Sequence, residues 1–566
     1  MIKVFQTVSK IKLTRKSEFR ATILIIALSS LIFRYLIYPY PISGMHDDQL
    51  MVEIANNILD GKWLGIYEEF GNRLLSKPPG YAIFLVFTSW LPWAPTVSVH
   101  LFLLLGLVII SREIRFLGES RAFTVGFFLF VSFYPAWFDE PMSRIYRDGL
   151  LAAISAIVLG LSLMTRRQML DYLRKPYRNI WESPLCAARH LTPPTIIGAL
   201  LACFIVSKNT WLYMVVLVVF VTLTPANWVN IKSKAFIKTY LPALLATSLC
   251  CFTLIAVLLA KNEATYGVRQ LDTYTSGPFA DAMKVLYSVR DTQNRAYVDI
   301  SEMMRLNTYE VSPTFAKLKP FLEIPEGAGW RSQPCQSELE ICDESAAWFP
   351  WDLRDAVETA GLGSSAADFN STFAMIASEV RGACKSGKIN CDSPGMAPGV
   401  DSLNSLSPRA LINAFSYAIG DLLNPDVGRS DRPLEYQLED ERKWSRIVKN
   451  LPPKNFSTRY EVQSAMLDDS RRVLARIYSA IWPLILIMAF TGLARGLLDK
   501  RKRSVAFLGI LVLSPSFILI AQLSLVEASS GVFISGSRMY LLCLYPLLFT
   551  GVALGMHSLL AKFQAN

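Results

Sequence analysis

Residues 20–40 read Arg-Ala-Thr-Ile-Leu-Ile-Ile-Ala-Leu-Ser-Ser-Leu-Ile-Phe-Arg-Tyr-Leu-Ile-Tyr-Pro-Tyr, an apolar run without a carboxylate. A hydrocarbon core about 30 Å thick takes roughly 20 such residues as one helix. Further runs of this kind lie at 95–111, 122–138, 149–165, 194–207, 210–225, 239–260, 475–497, 504–525 and 539–560. The pieces 194–207 and 210–225 flank Ser207-Lys208-Asn209 and read either as two spans or as one re-entrant hairpin. Both readings leave the flanking loops on the same side.

The whole chain agrees with this first stretch. Its 566 residues are 52% hydrophobic and 18% charged, and its mean hydropathy is +0.32. The expected fold class is therefore an all-α polytopic membrane protein of about ten transmembrane helices. The first span lacks a small-residue cleavage site and runs on into Tyr38-Pro39-Tyr40-Pro41, so it reads as a retained anchor. Lysine and arginine are retained in cytoplasmic loops. The loops on the side of residues 1–20 hold 24 of them, against 7 in the opposite loops. That bias puts both termini in the cytoplasm, most simply at a bacterial inner membrane. It also accounts for the net charge of +11 without a nucleic acid partner.

Between the spans, residues 261–472 interrupt the apolar pattern for long enough to form a core of their own. The chain divides into a membrane part at 1–260, this extracytoplasmic insert, and a second membrane part at 473–566. Helical spacing at Phe279 to Val289, Ala366 to Cys384 and Ser407 to Leu423 predicts a mostly helical insert, with loops near 325–334 and 393–399. Four of the nine cysteines lie in it: Cys335, Cys342, Cys384 and Cys391. In an oxidising compartment the repeated spacing of seven makes Cys335–Cys342 and Cys384–Cys391 the simplest of three connectivities. A structural zinc site competes, although its ligand pairs are usually closer in sequence.

The proposed spans carry no aspartate or glutamate in their interiors. Acids collect instead at outward ends, as Asp47, Asp48, Asp139, Glu140 and Asp148. An ion-coupled transporter keeps such groups near the bilayer midplane. Asp47-Asp48 opens an amphipathic helix in which one acid would suffice as an N-cap, and His46 beside them offers a metal-site alternative. Asp148 reads as another cap, paired with Arg147. Lys77, before Pro78-Pro79-Gly80, either snorkels to lipid headgroups or serves a site, and Lys208 has the same two readings. Arg538-Met539-Tyr540 opens the last span, where an arginine and aromatic belt is ordinary.

Taken in order, these residues resemble the C-type membrane glycosyltransferase superfamily, in the branch of protein O-mannosyltransferases and lipid A aminoarabinose transferases. The matching elements are Asp47-Asp48 before a helix, Lys77-Pro78-Pro79-Gly80-Tyr81 closing the first outer loop, and Asp148 heading an apolar helix. Lys208 and Arg538 to Pro546 match more loosely. The resemblance implies inverting transfer of a sugar from a polyprenyl phosphate carrier to a glycan, lipid or protein acceptor outside the membrane. Asp47 is then the general base, Asp48 orients base or acceptor, and Asp148 holds the acceptor or a divalent metal ion. Lys77, Arg538 and Lys208 meet the donor phosphate. Asp48 stands where the family more often has glutamate, and the shared motifs do not predict the insert. Its Ala347-Trp348-Phe349-Pro350-Trp351 run either stacks on sugar rings or fills a core. Two other classes stay open: a polymerase or ligase using pyrophosphate-linked glycans, and a lipid flippase or transporter.

Overall fold

A computed structural model describes residues 16–40, 47–65, 75–174, 184–208, 210–223, 234–290, 295, 297–337, 340–392, 407–424, 441–451, 458–530 and 538–560. His46 and the expected loop at 393–399 lie outside them. Among the described residues there are helices, turns and two isolated β-bridges, Tyr40 with Arg144 and Val289 with Cys391.

The first membrane part comprises α1 (Lys16–Leu36), α2 (Asp47–Leu59), α3 (Gly80–Ser89), α4 (Pro95–Phe116), α5 (Arg121–Ser132), α6 (Arg147–Arg174), α7 (Pro184–Ile205), α8 (Leu212–Leu223) and α9 (Lys234–Tyr266). The insert contains α10 (Pro278–Leu286), α11 (Glu302–Val311), α12 (Phe349–Thr359), α13 (Ala366–Lys385), α14 (Pro408–Leu423) and α15 (Glu441–Ile447). The chain then returns through α16 (Thr458–Leu498), α17 (Arg503–Ser530), the single turn α18 (Arg538–Leu541) and α19 (Tyr545–Leu560).

Eight described helices are long and apolar enough to cross a membrane, and α3, α5 and α8 are shorter apolar helices. Two of the ten expected spans are thus cut short. The run at 122–138 ends as α5 at Ser132, before extended Tyr134 and a 3-10 turn over Pro135–Phe138. Proline supplies no N–H to the preceding turn and disfavours helical conformation in the residue before it. The run at 210–225 forms only the 12 residues of α8, about 18 Å of helix at 1.5 Å per residue. The stretch from Tyr81, not counted as a span, forms the ten-residue α3.

The helices bury different fractions of themselves. Leu24, Ile25 and Ile32 of α1, Leu249, Phe252 and Val257 of α9, and Ile487 and Phe490 of α16 are exposed, as lipid-facing side chains must be. By contrast α6 and α19 are buried along almost their whole length. Helices α4 and α6 run parallel, because Val99 meets Gly149, Ala156 meets Gly106, and Ile109 meets Gly160 in register. A Cβ on Gly106 would lie 2.6 Å from the Ala156 Cβ. Only glycine permits this approach, the small-residue packing that membrane helices use where hydrophobicity supplies little drive between them. This pairing puts the start of α6 beside the start of α4, at the same end of the bundle as the end of α1, where Arg34 bonds Ser143 at 3.0 Å.

The insert has a separate apolar core that includes Phe279, Leu286, Phe315, Leu353, Phe373 and Val380. That core stops short of α14 and α15. Ala418 and Leu422 of α14 and Trp444 and Ile447 of α15 belong instead to the membrane core, and Phe415 stacks on Phe517 of α17 at 6.5 Å. The structure places Cys335 against Cys342 and Cys384 against Cys391 as disulfides.

Candidate active site at the membrane interface

Two adjacent aspartates at the first turn of α2 face different neighbours. The Asp48 side chain is fully buried, and the Arg144 guanidinium grips it through Nε to Oδ2 at 3.2 Å and Nη2 to Oδ1 at 2.5 Å. Burial pushes the Asp48 carboxyl up to about 6, the Arg144 charge limiting the rise. The Tyr40 amide donates to the Ser143 carbonyl at 2.7 Å, so the segment carrying Arg144 is fastened to the end of the first span as well.

Asp47 faces a second set of partners. Its Oδ2 accepts from the Tyr146 hydroxyl at 2.9 Å and lies 3.0 Å from Lys77 Nζ and 3.5 Å from Arg147 Nη2. Its side chain remains 27% exposed, against 0% for Asp48 and 1% for Asp148. Asp47 alone of the three can meet a molecule entering from outside. Burial acts to raise its pKa, but Lys77 and Arg147 outweigh it and hold the carboxyl well below the usual range. Lys77 is itself pushed down by burial, which Asp47 only partly offsets.

The second ion pair joins Asp148, in the first turn of α6, to Lys208 Nζ at 2.5 Å. The pairing expected between Asp148 and Arg147 does not form: Arg147 goes to Asp47. Lys208 also sits 4.2 Å from the Tyr540 ring centre, a cation–π contact from α18. What draws the two ion pairs together is Gly80. Its amide donates to the Val206 carbonyl at 2.7 Å, and a Cβ there would fall 2.4 Å from Ser207 Oγ. The Lys77-Pro78-Pro79-Gly80 turn therefore lies directly on the turn carrying Lys208.

The insert contacts the segment that carries Lys77. The Thr273 amide donates to the Leu75 carbonyl at 2.8 Å, and Arg354 Nη2 reaches Thr273 Oγ1 at 3.1 Å and Ser76 Oγ at 3.4 Å. Lys77 Nζ lies 4.7 Å from the Trp351 ring and 5.9 Å from Tyr274. From α15, Trp444 Nε1 donates to Gln49 Oε1 at 2.9 Å and holds the outer face of α2.

Five of the six residues read from sequence thus gather in one charge cluster: Asp47, Asp48, Lys77, Asp148 and Lys208. Arg538 does not face them. It lies within electrostatic reach of Asp421 and Tyr545, while Tyr540, two residues along the same turn, contacts Lys208. Sequence reading missed Tyr146, Arg144 and Tyr540 as site residues, and gave Arg147 the wrong partner. The visible signal was two arginines within four residues of an outward loop, against the general bias. Together Lys77, Arg144, Arg147 and Lys208 face Asp47, Asp48 and Asp148, which leaves one positive charge in excess. Adding Arg354 and Asp272 from the insert keeps that excess.

Among the described residues no group of three or more His, Cys, Asp and Glu side chains is arranged to hold a metal ion. The donor set around Asp148 does not fit a divalent cation, since an ammonium group already sits 2.5 Å from Oδ1.

No family model and no curated protein matches the chain. Solved structures do. The chain is similar to ArnT from Cupriavidus metallidurans in the apo state, with 15% identity over 96% of this chain and 76% of that one, at a TM-score of 0.31. To ArnT bound to undecaprenyl phosphate the figures are 13%, 97%, 79% and 0.31. To the Archaeoglobus fulgidus oligosaccharyltransferase in complex with Zn and sulfate they are 10%, 94%, 53% and 0.31.

Proposed function

We propose that the chain is an inverting glycosyltransferase that moves a sugar from a polyprenyl phosphate carrier to a hydroxyl acceptor at the outer membrane interface. The observation that carries this reading is the charge cluster itself, where the partly exposed Asp47 carboxylate is held by Lys77 and Arg147 beside the Asp148–Lys208 pair, with one cation in excess. A glycosyl phosphodiester brings one negative charge to the site. When the anomeric C–O bond breaks, the carrier leaves as a phosphate monoester with the electron pair, and its charge grows. Cations fixed around it then bind the transition state more strongly than the ground state.

Asp47 takes the acceptor proton as the acceptor oxygen attacks the anomeric carbon from the face opposite the phosphate. A carboxylate held well below its usual pKa is a weak base, so the ion pair with Lys77 must loosen first. The incoming phosphate competes for Lys77 and Arg147. As they turn toward it, Asp47 loses the charges that depress its pKa and gains basicity. Asp48, wholly buried on Arg144, positions the loop and does not touch substrate. Lys77 and Arg147 meet the phosphate, Lys208 and Asp148 bind the departing carrier and the acceptor, and Arg538 acts through α18. No step needs a metal ion. We place both termini in the cytoplasm of a bacterial inner membrane and the 261–472 insert outside.

Asp47→Asn tests the reading, because the amide keeps the shape and removes the base. Transfer from a monophosphate-linked sugar is expected to fall by about 10²–10⁴-fold while binding of polyprenyl phosphate persists. Wild-type turnover in that variant, or use of a diphosphate carrier instead, rejects it.

A further inference from the structure

We infer that the insert carries a carbohydrate-binding cleft that presents a glycan acceptor to Asp47. The cleft, of about 860 Å³, is lined by Trp330, Trp348, Asp352 and Asp355 over a floor that includes Phe321 and Ile324. Both indoles are half-buried and both carboxylates line the same space. The Ala347 to Trp351 run therefore divides three ways. Phe349 enters the core at 1% exposure, Trp348 lines the cleft, and Trp351 covers Lys77.

A sugar ring offers a flat face of C–H groups and a rim of hydroxyls, and this lining answers both. Indole faces cover the apolar side, and carboxylates accept hydrogen bonds from hydroxyl pairs. Other occupants fit worse. An apolar peptide would leave the buried carboxylate of Asp352 without solvent or new partners. Anionic lipid and nucleic acid would place phosphates against two acids. The carboxylates are also pre-set: Asp355 accepts from Trp330 Nε1 at 2.5 Å, and Asp352 accepts from the Ser345 hydroxyl.

Position connects this cleft to the reaction. Trp330 stacks on Trp351 with ring centres 6.2 Å apart and planes at 22°. Trp351 in turn stacks on Tyr274 at 4.8 Å and contacts Lys77. An aromatic ladder one ring long thus leads from the cleft to the cation beside Asp47. Trp351 thus stands between the cleft and Lys77, and a glycan held on Trp330 and Trp348 extends past it toward Asp47. The assignment of acceptor class rests on the glycosyltransferase reading; the binding of carbohydrate does not.

The test measures binding directly, on the full chain in lipid nanodiscs, by quenching of tryptophan fluorescence with free maltotetraose, chitotetraose and mannotetraose. At least one is expected to bind, with Kd raised at least tenfold by Trp348→Ala and by Asp355→Asn, and restored by Trp348→Phe. Thermal melting of each variant separates loss of the site from loss of fold. No binding to any of the three, or binding indifferent to Trp348 and Asp355 in folded protein, overturns the proposal. Binding with these properties in a protein that transfers no sugar would overturn the glycosyltransferase reading and the acceptor role, leaving only the cleft.

Discussion

The ion pair between Asp47 and Lys77 predicts an unusual pH response. In the free protein Asp47 stays ionised far into acid because two cations face it. Withdrawing Lys77 raises its pKa, so the acid limb of kcat, which reports the loaded enzyme, is expected at higher pH than the acid limb of kcat/KM, which reports the free one. Steady-state profiles at saturating and limiting donor check this. Lys77→Ala should lift the kcat/KM limb toward ordinary carboxylate values and weaken donor binding at the same time. Coincident limbs in the wild type would mean that the pair never opens. The carboxylates and lysines were legible in the sequence because charged residues at the ends of apolar runs need a reason to be there. Their partners were not, since Arg144 meets Asp48 from a loop 96 residues away. Arg538 and Tyr540 share the single turn α18. On a turn of 3.6 residues, side chains two positions apart point nearly opposite ways.

At the level of elements, the decisive joint is the Lys77-Pro78-Pro79-Gly80 turn against the end of α7. Gly80→Ala would put a methyl group 2.4 Å from Ser207 Oγ and 2.7 Å from the Val206 carbonyl oxygen. Side-chain rotation relieves the first contact but not the second. Such overpacking costs about 1–3 kcal/mol, and the turn must move away from Lys208. The expected outcome is a folded protein with lower melting temperature and transfer reduced at least tenfold, and Ser207→Ala in the same chain should not restore it. Unchanged transfer in Gly80→Ala would show that the two ion pairs need not share a cluster. Spans were readable from length and hydropathy, but α5 came out short because its apolar run continues through Pro135, where the chain turns away from the helix. The apolar stretch from Tyr81 was not counted as a span because ten residues are too few to signal a crossing.

For the whole molecule, the insert is a neighbour of the charge cluster as well as a separate core, and its cross-links bear on the first role less than on the second. Each disulfide closes a loop of seven-residue separation, worth about 2–3 kcal/mol on the chain-entropy model. Non-reducing mass spectrometry should find the two local pairs. Cys335→Ser with Cys342→Ser should lower the melting temperature of the insert while the Asp47 chemistry survives; four free thiols in the membrane-inserted protein would refute the placement outside. A segment apart from the membrane runs was suggested by 212 residues of broken hydropathy. Its contribution of Trp351 and Arg354 to the cluster was not, because such contacts depend on how two cores dock. Nor was the docking of α14 and α15 on the membrane helices, whose apolar faces suit either core.

One helix ties the two parts mechanically. At 41 residues, with Pro483 inside it, α16 is about 60 Å long at 1.5 Å per residue, twice the depth of a hydrocarbon core. A helix of that length is a lever: tilting by a few degrees to match a thinner or thicker bilayer swings its far end by several ångströms. Lipid chain length is thereby converted into displacement at the outer end, and turnover should depend on which acyl chains surround the protein.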